Sequence, residues 1–407
     1  MNTPPSAPGD SGRRRLISVF LVVVFLYWVG LYTYVPTLPI YVRSKIDDLA
    51  MVGTVLSMYG LWQAIIRLPL GIASDWIGRR KPFILGGLVL VGLGAWLMAV
   101  SDGVGGVLVG RAVTGLAAGT WVPLVVVFNS LFPSHESVRA TSILMIVGSV
   151  ARMLATGLNG TFNDLGGYSL AFYLAVTAAL IAVLVTLTVR EAPRPPRRPS
   201  LGALWTLVSR RDVLGPALLN TLIHYGTWAS TFGFIAVLAR ELGASDQLLS
   251  LFTSMNLAVG LVGNLSAAAL AKRLGGIWLS VIAIVTLVLG LLVAMLAPSM
   301  GVLFVAQLLL GLSAGVGIPT LMGLSIRHVD DVERASAMGL HQSVYALGMF
   351  GGPWLSGIIA NALGLRPMFG ITAGMCLVLG LAGAAWVSRS FPTGHAVEPV
   401  AAPVSGK

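Results

Sequence analysis

Polar residues punctuate this chain rather than alternate with apolar ones. Residues 16–40, 82–100 and 279–297 contain no charged side chain, and about 20 apolar residues suffice for a helix to cross a bilayer. Runs of this kind recur from end to end. They predict twelve membrane-spanning helices, at roughly 16–41, 51–75, 82–100, 104–130, 140–162, 168–189, 212–239, 247–271, 277–297, 301–326, 335–361 and 367–388. An even number puts both termini on one side of the membrane.

The few polar residues inside the spans fall at helical spacing. In the second span Tyr59, Gln63 and Arg67 are four apart. The fifth carries Ser149, Arg152, Thr156, Asn159 and Asn163 on one side. The seventh carries Asn220, His224, Thr227, Trp228 and Thr231. Asn256 and Asn264 lie in the eighth, His341 and Tyr345 in the eleventh. Polar groups facing lipid are costly, so these stripes should face the protein interior. Two uses are open, contact with a ligand and hydrogen bonding between helices. Asn256, Asn264 and Thr156 fit the second. Arg67 and Arg152 need several partners each and fit a water-filled cavity.

Composition excludes a soluble domain. Hydrophobic residues make up 56% of the 407, charged residues 10%, and the mean hydropathy is +0.87, whereas soluble domains carry about a quarter charged residues. With the N-terminus placed in the cytoplasm, 19 Lys and Arg fall on the inner side and 4 on the outer. That bias follows the positive-inside rule, so both termini are expected in the cytoplasm and the protein in the plasma (inner) membrane. The net charge of +11 then reports topology and contact with anionic membrane lipids, not nucleic acid. The first span is too long for the apolar core of a signal peptide, and no small-residue cleavage site follows it. Cys376 is the single cysteine, so no disulfide, metal site or cofactor is expected.

The 15 acidic residues include none at mid-membrane, while Arg67, Arg111 and Arg152 lie within spans. Either these arginines bond to carbonyls and amides, or they line a positive cavity that attracts an anionic or zwitterionic small molecule. Without a central carboxylate, His224 and His341 become the candidates for binding protons near neutral pH.

The chain divides at a proline-rich basic stretch. The expected organisation is a cytoplasmic tail 1–14, a six-helix bundle 15–190, a linker 191–211, a second six-helix bundle 212–390 and a tail 391–407. The halves repeat each other. An offset of 196 pairs Gly115 with Gly311, Gly119 with Gly315 and Pro123 with Pro319; an offset of 197 pairs Asp75 with Lys272. Such offsets imply parallel repeats about an axis normal to the membrane, with a ligand site between them.

Residues 71–82 read G-I-A-S-D-W-I-G-R-R-K-P, between the second and third spans. Gly71 and Gly78 are about two helical turns apart, so both can face one neighbour closely. Asp75 ends an apolar span, and Arg79, Arg80 and Lys81 form a cationic turn. This stretch resembles the signature loop of the major facilitator superfamily of transporters, with Trp76 in place of its usual cation. Arg111, Gly115 and Gly119 resemble the family's second signature, whose arginine is implicated in proton coupling. Gly339, Gly348, Gly352 and Pro353 resemble a glycine–proline motif of its antiporters, but in the eleventh span rather than the fifth; close helix packing with a proline bend explains them equally well. The resemblance covers about residues 15–390. It implies an all-α membrane protein of two pseudo-symmetric six-helix bundles, monomeric, and no enzyme. The implied function is secondary active transport by alternating access, with proton-coupled efflux of a drug or metabolite first and uptake of an organic anion second. A non-transporting receptor would carry the same signatures. An intramembrane hydrolase is disfavoured: His135-Glu136 lacks the second histidine of a zinc helix, position 139 being Arg139.

The topology has a direct check. Reporter fusions placed after residue 200 and at the C-terminus should both report a cytoplasmic location, and an external signal from either would overturn it.

Overall fold

Long apolar segments can satisfy their backbone in lipid only as helices, and helices are what form. A computed structural model describes residues 10–133, 136–189, 191, 206–330 and 333–389. Most of the expected linker and the two tails lie outside these residues, as does the side chain of Asp75.

The first half comprises α1 (Asp10–Tyr32), α2 (Leu38–Arg43), α3 (Leu49–Ile77), α4 (Lys81–Val100), α5 (Val104–Ala118), α6 (Trp121–Asn129) and α7 (Ser137–Leu187). The second comprises α8 (Arg211–Ala229), a π-helical segment Ser230–Phe234, α9 (Ile235–Glu241), α10 (Asp246–Leu274), α11 (Gly276–Leu296), α12 (Met300–Ser325), α13 (Arg334–Leu363) and α14 (Leu365–Ser388). The first span is α1 with α2, the fourth α5 with α6, and the seventh α8 through α9. Among the described residues, eleven continuous stretches are long and apolar enough to cross a membrane. One of them, within α7, leaves helical geometry at Gly166 and at Gly167, whose φ is +69°. Only glycine adopts that left-handed turn cheaply. The turn makes two spans of one, and the total is the twelve that periodicity predicts.

Helix ends are set locally. Asp48 caps α3 by accepting from the backbone of Ala50 at 2.8 Å and Met51 at 3.0 Å. Ser245 caps α10 through the Leu248 amide. Gly78 terminates α3 with φ +69°, the left-handed ending that favours glycine. The expectation that Gly71 and Gly78 share one close neighbour is therefore corrected. Gly78 is needed for its backbone angle, and a Cβ on Gly71 would meet Val122 only at 3.8 Å.

Helices of the two halves meet in two repeat-related pairs, α3 with α13 and the first part of α7 with α10. Glycines let these backbones touch. A Cβ on Gly53 would lie 2.2 Å from the Pro353 carbonyl, one on Gly60 2.4 Å from the backbone of Met349 and Phe350, and one on Gly160 2.5 Å from the backbone of Gln247. Polar bonds reinforce this end. Asn163 donates to Asp246 at 2.7 Å and to Thr37 at 3.0 Å, and Asp246 also binds Arg240. Thr37 donates to Asn159 at 2.9 Å, Gln247 to Asp164 at 2.8 Å, and Arg43 pairs with Glu241 at 3.1 Å. At the opposite end, marked by Arg79, partners belong to the same half. Lys81 bonds the carbonyls of Leu187 and Val189, Arg13 that of Leu131, and Arg210 both Asp212 and the His328 carbonyl. The bonds named between the two bundles thus run from the Asp246 end to the Arg67–Tyr345 level.

Gly160→Val should wedge the joined end open, at a cost of about 1–3 kcal/mol for overpacking. Cysteines placed at Asp164 and Gln247 should cross-link readily in the parent and markedly less with Gly160→Val.

Candidate functional site

Charged side chains placed in hydrocarbon by α3, α5 and α7 must find something better than lipid. All three arginines find aromatic faces. The Arg111 guanidinium lies 4.3 Å from the Tyr59 ring centre and 5.9 Å from that of Trp228. Tyr59 and Trp228 are themselves stacked at 5.3 Å across the two halves. Arg152 covers Trp28 at 4.7 Å and Tyr32 at 5.7 Å. Arg67 covers Tyr345 at 5.3 Å and donates from Nη1 to its hydroxyl at 2.6 Å. The choice posed by the sequence, carbonyls or an open cation cavity, has a third answer: the ring quadrupoles carry much of the contact.

The rings are continuous. Trp121 meets Trp28 at 5.1 Å, Trp28 meets Tyr32 at 5.5 Å, Tyr32 meets Phe232 of the other half at 6.1 Å, and Phe232 meets Trp228 at 4.9 Å. Trp228 and Phe232 flank the start of the π-helical segment, which sits in the most enclosed of the spans. Such segments re-aim side chains at functional places. On the second half His224 stacks flat on Tyr345 at 4.1 Å, its Nδ1 lies 3.0 Å from the Asn220 carbonyl, and Asn220 Nδ2 lies 2.8 Å from His341 Nε2. Tyr59, Gln63, Arg67, Arg111, Arg152, Asn220, His224, Trp228, His341 and Tyr345 therefore surround one junction between the halves.

This junction is short of hydrogen-bond partners. Arg111 is only 2% exposed and Arg67 5%. Arg111 Nε and Nη1, Arg67 Nε, Gln63 Oε1, Asn220 Oδ1, Thr227 Oγ1, His341 Nδ1 and Trp28 Nε1 are buried without a partner among the described residues. Each such atom costs about 1–3 kcal/mol. Desolvating a cation costs several kcal/mol, and two ring contacts at about 2 kcal/mol each offset only part of that for Arg111.

The fifth-span stripe divides. Arg152 belongs to the aromatic junction, held by Gly148 O at 3.1 Å and Ser149 Oγ at 3.2 Å. Asn159 and Asn163 belong to the Asp246 end, and Thr156 bonds its own helix. The glycines of the motifs lie against backbone. A Cβ on Gly115 would sit 2.7 Å from the Tyr59 carbonyl, one on Gly119 2.5 Å from Ile66, one on Gly348 2.1 Å from the Thr221 carbonyl, and one on Gly352 2.5 Å from that of Tyr225. The Pro353 carbonyl faces Gly53. Gly339 meets nothing within 4 Å. In the signature loop Arg79 is exposed, and the backbone amides of Arg80 and Lys81 both donate to the Glu191 carboxylate, each at 2.8 Å.

Sequence reading missed three contributors. Glu191 stands where composition reads a linker. The aromatic contacts of Tyr32 and Phe232 are not encoded by spacing. Gln307 carries the clearest unused signal, because the 196 offset pairs it with Arg111. It accepts from Thr231 at 2.8 Å and from Asn256 Nδ2 at 3.1 Å. Asn256 is the counterpart of Tyr59, so the two halves build the same corner from different chemistry.

A sequence model described as the Major Facilitator Superfamily matches residues 20–220 and again 217–406. The inner membrane transport protein YajR of Escherichia coli is 27% identical over 190 residues, covering 46% of this chain and 41% of that protein. The quinolone resistance protein NorA of Staphylococcus aureus is 24% identical over 242 residues, 59% of each. These alignments thus span about half the length of the relatives. A solved bacterial homologue of the human lysosomal transporter Spinster, inward-facing and unoccupied, superposes with TM-score 0.81 at 15% identity over 95% of this chain and 98% of that one. With twelve spans among the described residues and both halves of the chain matched, this multi-pass membrane protein belongs to the Major Facilitator Superfamily.

Proposed function

We propose that the protein exports small planar organic molecules bearing an anionic or strongly electronegative group, by proton-driven alternating access. The observation that carries this reading is the junction itself: three guanidinium groups on aromatic faces, with no carboxylate beside them among the described residues. Such a surface favours a ligand that combines a π-face with negative charge. NorA is named for resistance to quinolones, a compound class that joins a fused planar ring to a carboxylate. Export rather than uptake is suggested by the likeness to NorA, which is named for resistance.

His224 offers a route for proton coupling. Its ring lies on Tyr345, whose other contact is Arg67. Charging the imidazole places a second cation against that tyrosine, and like charges disfavour one another. Proton binding and the Arg67–Tyr345 bond between the halves therefore oppose each other. Asp75 is proposed to act at the other end, latching the cytoplasmic faces near Arg79 and Arg334 when the protein opens outward.

Purified protein in liposomes tests the reading. A labelled aromatic carboxylate should accumulate against its gradient when the lumen is acidic, and not when the pH difference is collapsed. Passive weak-acid movement runs the other way, so leakage cannot mimic this result. Accumulation only with an alkaline lumen would favour uptake of an organic anion instead, and no movement of any compound would favour a receptor.

Asp75→Asn should slow transport at least about fivefold, equivalent to roughly 1 kcal/mol, with ligand affinity unchanged. Transport at the parent rate would remove the latch.

A further inference from the structure

The three arginines are not equivalent, and their contacts sort them. Arg111 is sealed beneath Tyr59. Arg67 is almost as buried, and its Nη1 is spent on Tyr345 of the other half. Arg152 is partly exposed. Of the five N–H groups of a guanidinium, Arg152 uses Nε on the Gly148 carbonyl and one Nη2 hydrogen on Ser149. Three N–H remain, enough for one two-pronged bond to a carboxylate.

A second, independent observation points to a ligand at the same place. Trp28, the ring beneath Arg152, is 8% exposed, and its indole N–H has no partner among the described residues. Gly148 makes room for that ring edge: a Cβ there would lie 2.8 Å from Trp28 Nε1. Tyr32 and Trp121 flank Trp28, and Phe232 completes the enclosure from the second half.

We infer that Arg152, Trp28 and Tyr32 form the seat for the substrate's charged end, and that the seat takes a planar aryl carboxylate. The carboxylate meets the free edge of Arg152, and the aryl ring lies among the edges of Trp121, Tyr32 and Phe232. Arg67 has a separate task as a bond between the halves. The inference rests on the reading of the junction as the substrate site and assigns one residue within it.

Equilibrium binding of 2-naphthoate to the purified full chain is the test, with cyclohexanecarboxylate and 2-naphthylmethylamine as comparison ligands. Naphthoate should bind at least about tenfold more tightly than either. Arg152→Gln should weaken it about tenfold or more, the worth of one charge-assisted bond. Arg152→Lys should restore only part, because an ammonium offers no planar fork. Trp28→Phe keeps the charge and removes the indole N–H, and should weaken binding about threefold even if Arg152→Gln folds poorly. Lys272→Gln, a surface control for lost charge, should leave affinity unchanged. Parent-like affinity in folded Arg152→Gln, or an amine that binds as well as naphthoate, overturns the assignment. Loss on Arg111→Gln with retention on Arg152→Gln moves the seat and keeps the junction. If none of the three ligands binds the parent protein, both readings fall.

Discussion

A guanidinium cannot shed its charge inside a membrane, and this chain places three there without a carboxylate to meet them. That constraint shapes the middle of the molecule. Each arginine needs a large aromatic partner, each aromatic partner needs a neighbour, and the neighbours cross from one half to the other at Tyr59–Trp228 and Tyr32–Phe232. Cation–π contacts need the cation over a ring face but consume none of its N–H groups. They hold the halves in register while leaving hydrogen-bond capacity unspent. The contrast with the Asp246 end is informative. There Asn163 bonds Asp246 and Gln247 bonds Asp164 across the same boundary, with Thr37 tying Asn163 to Asn159 behind them. One end is bonded and the centre is left wanting.

The repeat shows how the two halves came to differ. In the second half Thr231, Gln307 and Asn256 close a neutral hydrogen-bonded corner. In the first half the offset positions carry Tyr34, Arg111 and Tyr59, and two guanidinium nitrogens go unpartnered among the described residues. Gly115 and Gly311 pack on the corresponding backbones in both copies: an added Cβ would lie 2.7 Å from Tyr59 O and 2.5 Å from Asn256 O, respectively. The backbone frame is shared. Polarity separates a corner that only holds from one that can respond to a ligand or a proton.

Much of this was legible before any coordinates. Twelve spans followed from apolar run length, because lipid allows no irregular backbone. The repeat followed from constant offsets, and the inward stripes from the cost of polar groups in lipid, except that Asn264, expected to bond between helices, is exposed. Even the break at Gly166–Gly167 sits between two predicted spans. The partners of the arginines were not legible. Sequence spacing says which residues share a helix face, but Arg152 meets Trp28 through the packing of α7 on α1, which no local period records. The role of Gly78 was misassigned for a related reason: spacing alone cannot tell a glycine needed for close approach from one needed for a left-handed turn. Gln307 was available through the repeat and was hidden only by its neutral side chain.

The Glu191 carboxylate holds the amides of Arg80 and Lys81, at the very start of α4. Those amides belong to the signature loop, while Glu191 begins the covalent connection between the bundles. The tether is therefore also a fastener. Lengthening, cutting or replacing that connection just after the sixth span would loosen the start of the third, although no membrane helix had been altered. Swapping halves between relatives would carry the same hidden cost unless the acidic residue travels with the bundle whose loop it caps.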